Sequence, residues 1–371
     1  MDLYIDRDAL ARGLARVQNI VERRSTQPVL SHVLLYAQGE TLRLTATDTQ
    51  VAYVGELAAN VTTPGELSVD AQSLHAIARA LPEPTVHLKL VAGQRLEISS
   101  GRSSFKLPGS PASHYPPLPA FDVDGRATLE EAALLRMVDQ TSFAVSPDDN
   151  RYGLNGAAMH AVGGDRVRMV ATDSHRLAAS EAVFEGELRV GARRLVPRKA
   201  LGVLRRLLDP GSSEPVELAF GDGSMRLTRP GSMFWFRLID GEFPEYERVL
   251  PVGQPQHLIR LRRQELVELL KRVGILMVAE RVRAVRFAFD AAELTVSVSS
   301  ADRGDIVESM PVELEGNPIV AGFNARYLSD VLEVIDGEYV TLALGHALAP
   351  CIVRDPERDD AFFVVMPMRL D

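Results

Sequence analysis

The sequence predicts an α+β protein built from three tandem copies of one domain. Three observations lead there. First, a strand-like run ending in a polar turn occurs three times: Leu42-Arg43-Leu44 before Thr45-Ala46-Thr47-Asp48, Val167-Arg168-Met169-Val170 before Ala171-Thr172-Asp173-Ser174-His175-Arg176-Leu177, and Val296-Ser297-Val298 before Ser299-Ser300-Ala301-Asp302. The aspartates stand 125 and 129 positions apart. Second, Leu74, Leu201 and Leu328 sit on helix-like stretches at equal spacings of 127. Such a period exceeds any solenoid unit and marks repetition of a whole domain. Third, each copy reads as helix, three or four strands, helix, three or four strands, which is an α+β pattern with two antiparallel sheets per copy. The boundaries expected are 1–120, 128–251 and 252–371.

In chain order, Asp8 is expected to cap a first helix with Leu10, Leu14, Val17 and Val21 on one stripe, weakened by Gly13. A basic turn, Arg23 to Pro28, precedes strands over Val29–Tyr36, Thr41–Ala46 and Val51–Leu57. Asp70 caps a second helix with Leu74, Ile77, Ala78 and Leu81 facing inward, before strands near Val86–Val91, Arg95–Ser99 and Ser104–Leu107. Proline-rich Pro108–Pro119 reads as an extended linker. In the second copy, Thr128-Leu129-Glu130-Glu131 fits a capping box before Leu134, Leu135 and Val138. Pro197 opens a helix with Leu201, Leu204 and Leu208, and strands follow over Val216–Phe220, Ser224–Thr228 and Met233–Leu238. The third copy repeats the pattern with Leu266, Leu269, Leu270 and Val273, then a helix from Asn324 with Leu328, Val331, Leu332 and Ile335, and an apolar last strand, Phe362–Met366.

Composition narrows the function classes. Apolar content of 46% and charged content of 25% are those of an ordinary globular protein. A net charge of −9 argues against a generally basic surface, though not against a positive patch. Cys351 is the sole cysteine, which excludes an intrachain disulfide and fits a reducing compartment. The start, Met1-Asp2-Leu3-Tyr4-Ile5-Asp6, has no signal-peptide pattern, and no apolar run reaches membrane-spanning length; a cytoplasmic protein is expected.

Catalytic motifs are missing. There is no phosphate-binding glycine loop, no dinucleotide fingerprint, no nucleophile elbow and no histidine pair at helical spacing. Asp173-Ser174-His175 holds the residue types of a hydrolytic triad, but neighbours on a turn point apart. The acidic pairs Asp148-Asp149 and Asp359-Asp360 read as solvated turns, and Trp235 as strand packing. An enzyme and a sequence-specific DNA reader are the competing classes. The first has only that tripeptide, and the second has no groove-sized base-reading element.

Four pieces belong together: Thr172-Asp173-Ser174-His175-Arg176-Leu177, Arg151-Tyr152-Gly153-Leu154-Asn155-Gly156, Ile239-Asp240-Gly241-Glu242-Phe243-Pro244, and the terminal Val364-Val365-Met366-Pro367-Met368-Arg369-Leu370. With the triple repeat they resemble the bacterial sliding-clamp family, the beta subunit of DNA polymerase III, over essentially the whole chain. The resemblance implies three DNA-clamp domains per protomer and a head-to-tail homodimer, a six-domain ring with helices lining its hole. Its role would be a non-catalytic processivity factor without a cofactor, set on double-stranded DNA by a clamp loader and tethering replicative and other polymerases.

The family implies site residues as well. Partner peptides would dock in an apolar pocket between the second and third domains. From the middle copy it would take Leu154, Thr172, His175, Arg176 and Leu177, and beside the second linker Pro244, Arg248 and Val249. From the third copy it would take Val282, Asn324, Tyr327 and Leu348, and from the terminus Val364, Val365, Met366, Pro367, Met368 and Arg369. DNA contacts would fall to Arg24, Tyr152, Arg198, Lys199, Arg205 and Arg206, and the dimer contact to Phe105 and Leu107 against Leu276 and Met277. Val282 and Gly153 stand where the family often has aromatics, and Asp371 adds one residue beyond the usual terminal leucine. Charge gives an independent check: the six helices as read sum to +4, leaving −13 on the rest. Inward helices would thus present the positive side to phosphates. Only the middle copy carries His-Arg-Leu after its aspartate, so one docking slot per protomer is expected.

Overall fold

The computed structural model describes residues 1–22, 27–148, 150–187, 193–251, 253–277, 284–300 and 304–370. The polar turn that recurs in the sequence is a hydrogen-bonded device. In the first copy Asp48 Oδ1 accepts the backbone N–H groups of Gln50 (2.8 Å) and Val51 (2.7 Å). Thr47 Oγ1 donates to the Val51 carbonyl (2.9 Å) and accepts from the Thr49 N–H (3.0 Å). The middle copy repeats every bond. Asp173 Oδ1 accepts from His175 (2.9 Å) and Arg176 (3.0 Å), and Thr172 Oγ1 donates to the Arg176 carbonyl (2.7 Å) and accepts from Ser174 (3.1 Å). These bonds hold Thr49 and Ser174 at φ 77° and 78°, where an L-residue stays only if its surroundings keep it there.

The third copy departs. Ser180, paired with Met169, faces the helices through Gln140, and Glu308, paired with Val296, faces them through Arg272. Val296 lies 127 positions after Met169, the leucine period, so Ser299 and Ser300 take the places of Thr172 and Asp173. Asp302, expected there from the sequence, lies outside the described residues.

Each copy folds into two sheets. One is four-stranded and contains the turn. It ends on the strand that leaves the turn: Val51–Ala58, Arg176–Val183 or Gly304–Pro311. The other is a meander that follows the second helix and ends on a closing strand: Ser103–Ser110, Ser232–Arg237 or Ala361–Val365. Copies are joined by pairing the turn strand of one with the closing strand of the next. Val51–Ala58 pairs antiparallel with Ser232–Arg237 (Val51 opposite Phe236), and Arg176–Val183 with Ala361–Val365 (Arg176 opposite Val365). Each junction ends in the same bond, Arg237 N–H to the Gln50 carbonyl and Met366 N–H to the His175 carbonyl, both 2.9 Å. By compactness the chain forms two units whose border runs through the middle copy. One holds Met1–Ala132, Phe184–Leu188 and Gly202–Leu238; the other holds Ala133–Val183, Arg189–Leu201 and Ile239–Asp371.

The helices are α1 (Arg7–Val17), α2 (Ala71–Ala80), α3 (Glu131–Ser142), α4 (Arg198–Leu207), α5 (Arg263–Met277) and α6 (Ala325–Glu333). Their predicted stripes are buried, Leu10, Leu14 and Val17 on α1 and Leu328, Val331 and Leu332 on α6 among them. Several local expectations fail for identifiable reasons. Asp6, not Asp8, caps α1 by accepting the Ala9 N–H, because an unpredicted strand, Asp2–Asp6, runs straight into the helix. Ile20 rather than Val21 is buried, since α1 stops at Val17. Thr128 caps nothing: it lies in the strand Gly125–Glu130, and Glu131 is buried on Arg229 instead. Pro28 opens a 3-10 turn, Pro28–Ser31, so the strand begins at His32. The first linker starts later than its prolines indicate, for Pro108 lies inside the strand Ser103–Ser110. Tyr115 is buried beyond it, accepting from the Thr47 N–H and donating to the His32 carbonyl, each at 3.2 Å, and burial pushes its phenol up to about 12. Gly13 sits close to the sheet: a Cβ there would lie 2.9 Å from Leu57 Cδ1 and 3.0 Å from Leu44 Cδ1, so those side-chain ends would have to shift.

Asp48→Ala should leave the part-buried Gln50 amide and the buried Val51 amide without their acceptor and cost about 1–3 kcal/mol. Urea unfolding of the variant checks this, with the native fold confirmed by circular dichroism.

Candidate functional site

The second junction gathers most of the predicted docking residues. Leu177 lies opposite Val364, and both join a buried cluster with Phe243, Tyr246 and Phe362 against which Met366 packs. Beyond the strand the terminus is pinned twice, by Met366 N–H to the His175 carbonyl (2.9 Å) and Met368 N–H to the Gly322 carbonyl (2.8 Å). Gly322 permits that approach, since a Cβ would sit 2.5 Å from the Met368 carbonyl oxygen. Pro367 and Met368 are half-buried and Arg369 is exposed. Val364 and Val365 are fully buried, and serve as the floor.

Arg176 is the hub. Its Nε donates to Asp173 (3.0 Å), one terminal nitrogen to Asp330 on α6, and the other to the Phe143 carbonyl (2.6 Å). The guanidinium lies 4.6 Å from the Tyr327 ring centre and 5.1 Å from that of Phe143, and the side chain is 11% exposed. Its donors are therefore spent inside the protein, tying the middle copy's turn to the third copy's helix. The exposed His175 ring stacks near Tyr327, with centroids 6.2 Å apart and planes at 19°. Burial, with the Asp173 carboxylate nearby, pushes the Tyr327 phenol up. Asn324, 6% exposed, caps α6 through the Arg326 N–H, which is structural work.

Around this centre Pro244 and Arg248 are exposed, Val249 and Leu348 are 44% and 54% exposed, and Leu154 and Thr172 are half-buried. Leu154 is not among the residues of the buried cluster, and Val249 ends the 3-10 turn that carries its member Tyr246. Val282 lies outside them, as do Arg24 and Asp371. The linker carrying Pro244 is held by Arg193, which donates to the Pro244 carbonyl (3.0 Å) and to both Glu247 oxygens (2.7 and 2.9 Å). Asp330, Phe143 and Arg193 carry no local sequence signal; each matters only through a long-range contact.

The triad composition makes no triad, because Asp173 faces two backbone amides and Arg176. No cluster able to hold a metal occurs among the described residues.

On α4, Arg198, Lys199, Arg205 and Arg206 are exposed, while Leu201, Leu204 and Leu207 are buried. Positions seven apart return to one face, so the four form one basic stripe two turns long. Arg206 donates to Asn19 Oδ1 (3.1 Å). Tyr152 is 72% exposed on the 3-10 turn Tyr152–Leu154. Its neighbour Gly153 has no room for a side chain, since a Cβ would meet the Glu242 carbonyl oxygen at 2.5 Å. Phe105 is 39% exposed and Leu107 half-buried, and Leu276 and Met277 are the last residues of α5.

Family models of the DNA polymerase III beta subunit match in tandem: the N-terminal domain over residues 1–119, the central domain over 128–245 and the C-terminal domain over 247–369. The chain belongs to the DNA polymerase III beta subunit family. It is 35% identical over 376 residues to the beta sliding clamp of Caulobacter vibrioides and 38% over 374 residues to that of Pseudomonas putida, each covering both proteins fully. Among solved structures it is similar to the Pseudomonas aeruginosa sliding clamp bound to griselimycin, at TM-score 0.93 and 36% identity with both chains fully covered. Three tandem clamp domains are thus its architecture, and its family is one of non-catalytic processivity factors in DNA replication.

Arg176→Ala would leave Asp173 and Asp330 without their shared cation and should cost the protein about 3–5 kcal/mol. Denaturant unfolding measures it; Arg176→Met, which keeps the bulk, should recover little.

Proposed function

We propose that the chain acts as a sliding clamp whose two free sheet edges close it into a ring with a second copy, encircling duplex DNA. The observation that carries this reading is the pairing rule. Each internal junction joins a turn strand to the next copy's closing strand, which uses two turn strands and two closing strands. Left over are the first closing strand, Ser103–Ser110, and the third turn strand, Gly304–Pro311. Residues 103–108 pair on one side only, with Arg95–Ser100, and Gly304–Pro311 pairs only with Glu293–Ser300 among the described residues. Both edges carry exposed apolar side chains, Phe105 on one and Val307 on the other at 69%, with Ile275 of α5 at 68%. A leftover donor edge and acceptor edge make a head-to-tail interface, and two copies would close it.

The basic stripe of α4, with Tyr152 and Arg24, is assigned to phosphate contact without base reading, which allows sliding. The slot at the second junction is assigned to short peptides of polymerases and the clamp loader. Its walls are His175, Leu177, Pro244, Val249, Met366 and Met368, a thioether- and aliphatic-lined surface that adapts to several partners. Griselimycin, held by the P. aeruginosa relative, is a ligand expected to bind here. The site of action is the cytoplasm, at the nucleoid.

The test is topological. Once loaded, the protein should stay on nicked circular DNA through gel filtration and leave when the circle is cut. Equal retention on both forms would mean ordinary DNA binding.

A further inference from the structure

We propose that Pro108 weakens the seam between protomers by deleting one rung of the ladder that both internal junctions possess. The inference rests on the edge-to-edge closure described above. The equivalence of positions comes from two landmarks. The hairpins before the closing strands match, Ser100 opposite Ser103 in the first copy and Arg229 opposite Ser232 in the second. Past the strand, Ser110, Ile239 and Met368 each meet the turn sheet of their own copy, opposite Ser68, Leu195 and Gly322. Both landmarks place Ser103 against Ser232 and Ser110 against Ile239, a constant offset of 129. Pro108 therefore stands where the internal junctions have Arg237 and Met366.

Those two residues donate the terminal bonds of their junctions, to Gln50 and His175, both at 2.9 Å. Proline has no N–H to donate. Its nitrogen faces the free edge: the next residue, Gly109, sends its N–H back across the hairpin to the Gln94 carbonyl (2.8 Å), and successive amides of a strand point opposite ways. Pro108 is exposed, and on its own sheet it costs nothing, because no neighbour asks for that donor. A ring that must open to admit DNA needs one seam weaker than the others, and two seams related by symmetry would each lack this rung.

The measurement is the dimer dissociation constant by sedimentation, with the half-life on nicked circular DNA. Pro108→Ala restores an N–H and should tighten each seam about three- to tenfold. The residence time should lengthen in step. Pro111→Ala, beyond the ladder, controls for the general effect of removing a proline and should change neither. Unchanged or weaker dimerisation by Pro108→Ala, in protein with a normal circular dichroism spectrum, overturns the inference. Phe105→Glu separates the two levels. If it abolishes the dimer while Pro108→Ala is neutral, the closure stands and the missing rung does not matter. If Phe105→Glu leaves the dimer intact, the edge is not the interface and both ideas fall.

Discussion

Backbone pairing between successive copies is the constraint on which the rest depends. The closing strand of the second copy buries Phe234, Trp235 and Phe236, and every residue of the third copy's closing strand, Ala361–Val365, is buried. A strand apolar on both faces can survive only as a central strand, since an unpaired buried amide costs about 1–3 kcal/mol. The neighbour that satisfies it is the strand leaving the polar turn of the preceding copy. The border between compact units consequently runs through the middle copy, not between copies.

The two junctions are finished differently. At the first, Trp235 lies opposite Ala52 and is 4% exposed, so bulky rings fill the seam. At the second, Ala52's counterpart is Leu177 opposite Val364, and the exposed His175, whose carbonyl accepts the Met366 N–H, stacks near Tyr327. Arg176 makes this possible. By binding Asp173, Asp330 and the Phe143 carbonyl at once it fastens the turn to α6, so the surface keeps its shape without a plug. A hub of that kind costs desolvation, and its value lies in orientation more than in net stability.

Much of this was legible in the sequence. Three copies, six helices, their buried stripes and the cap at Asp70 came from periodicity and capping residues. Even the central or edge status of the closing strands is written there: Met-Phe-Trp-Phe and Ala-Phe-Phe-Val-Val are continuous apolar runs, while Ser-Phe-Lys-Leu alternates and carries the lysine common at edges. The helix starts misread at Asp8 and Thr128 failed because a strand runs directly into each helix, so the capping-like residues serve the strand or the first turn. The third aspartate was matched by residue type alone, whereas the strand register carries the places of Thr172 and Asp173 to Ser299 and Ser300, two positions earlier. In the site, the pattern showed Phe362–Met366 as an apolar last strand, while the membership of Leu177, Val364 and Met366 came from the family resemblance. The partners of Arg176 were not, since Asp330 lies 154 positions away and nothing local marks it.

The same pairing rule has a consequence in the language of polymers. A chain with n copies makes n − 1 junctions and always ends with one unspent donor edge and one unspent acceptor edge, whatever n is. Such a chain is a bifunctional monomer, and nothing in its hydrogen bonding prefers a closed ring to an endless filament. That choice belongs to curvature. If each junction bends the path by about a sixth of a circle, two chains of three copies meet end to end, and growth stops because no reactive end is left. A substitution that altered the bend of one junction, while sparing every bond in it, would turn a self-terminating assembly into an open one.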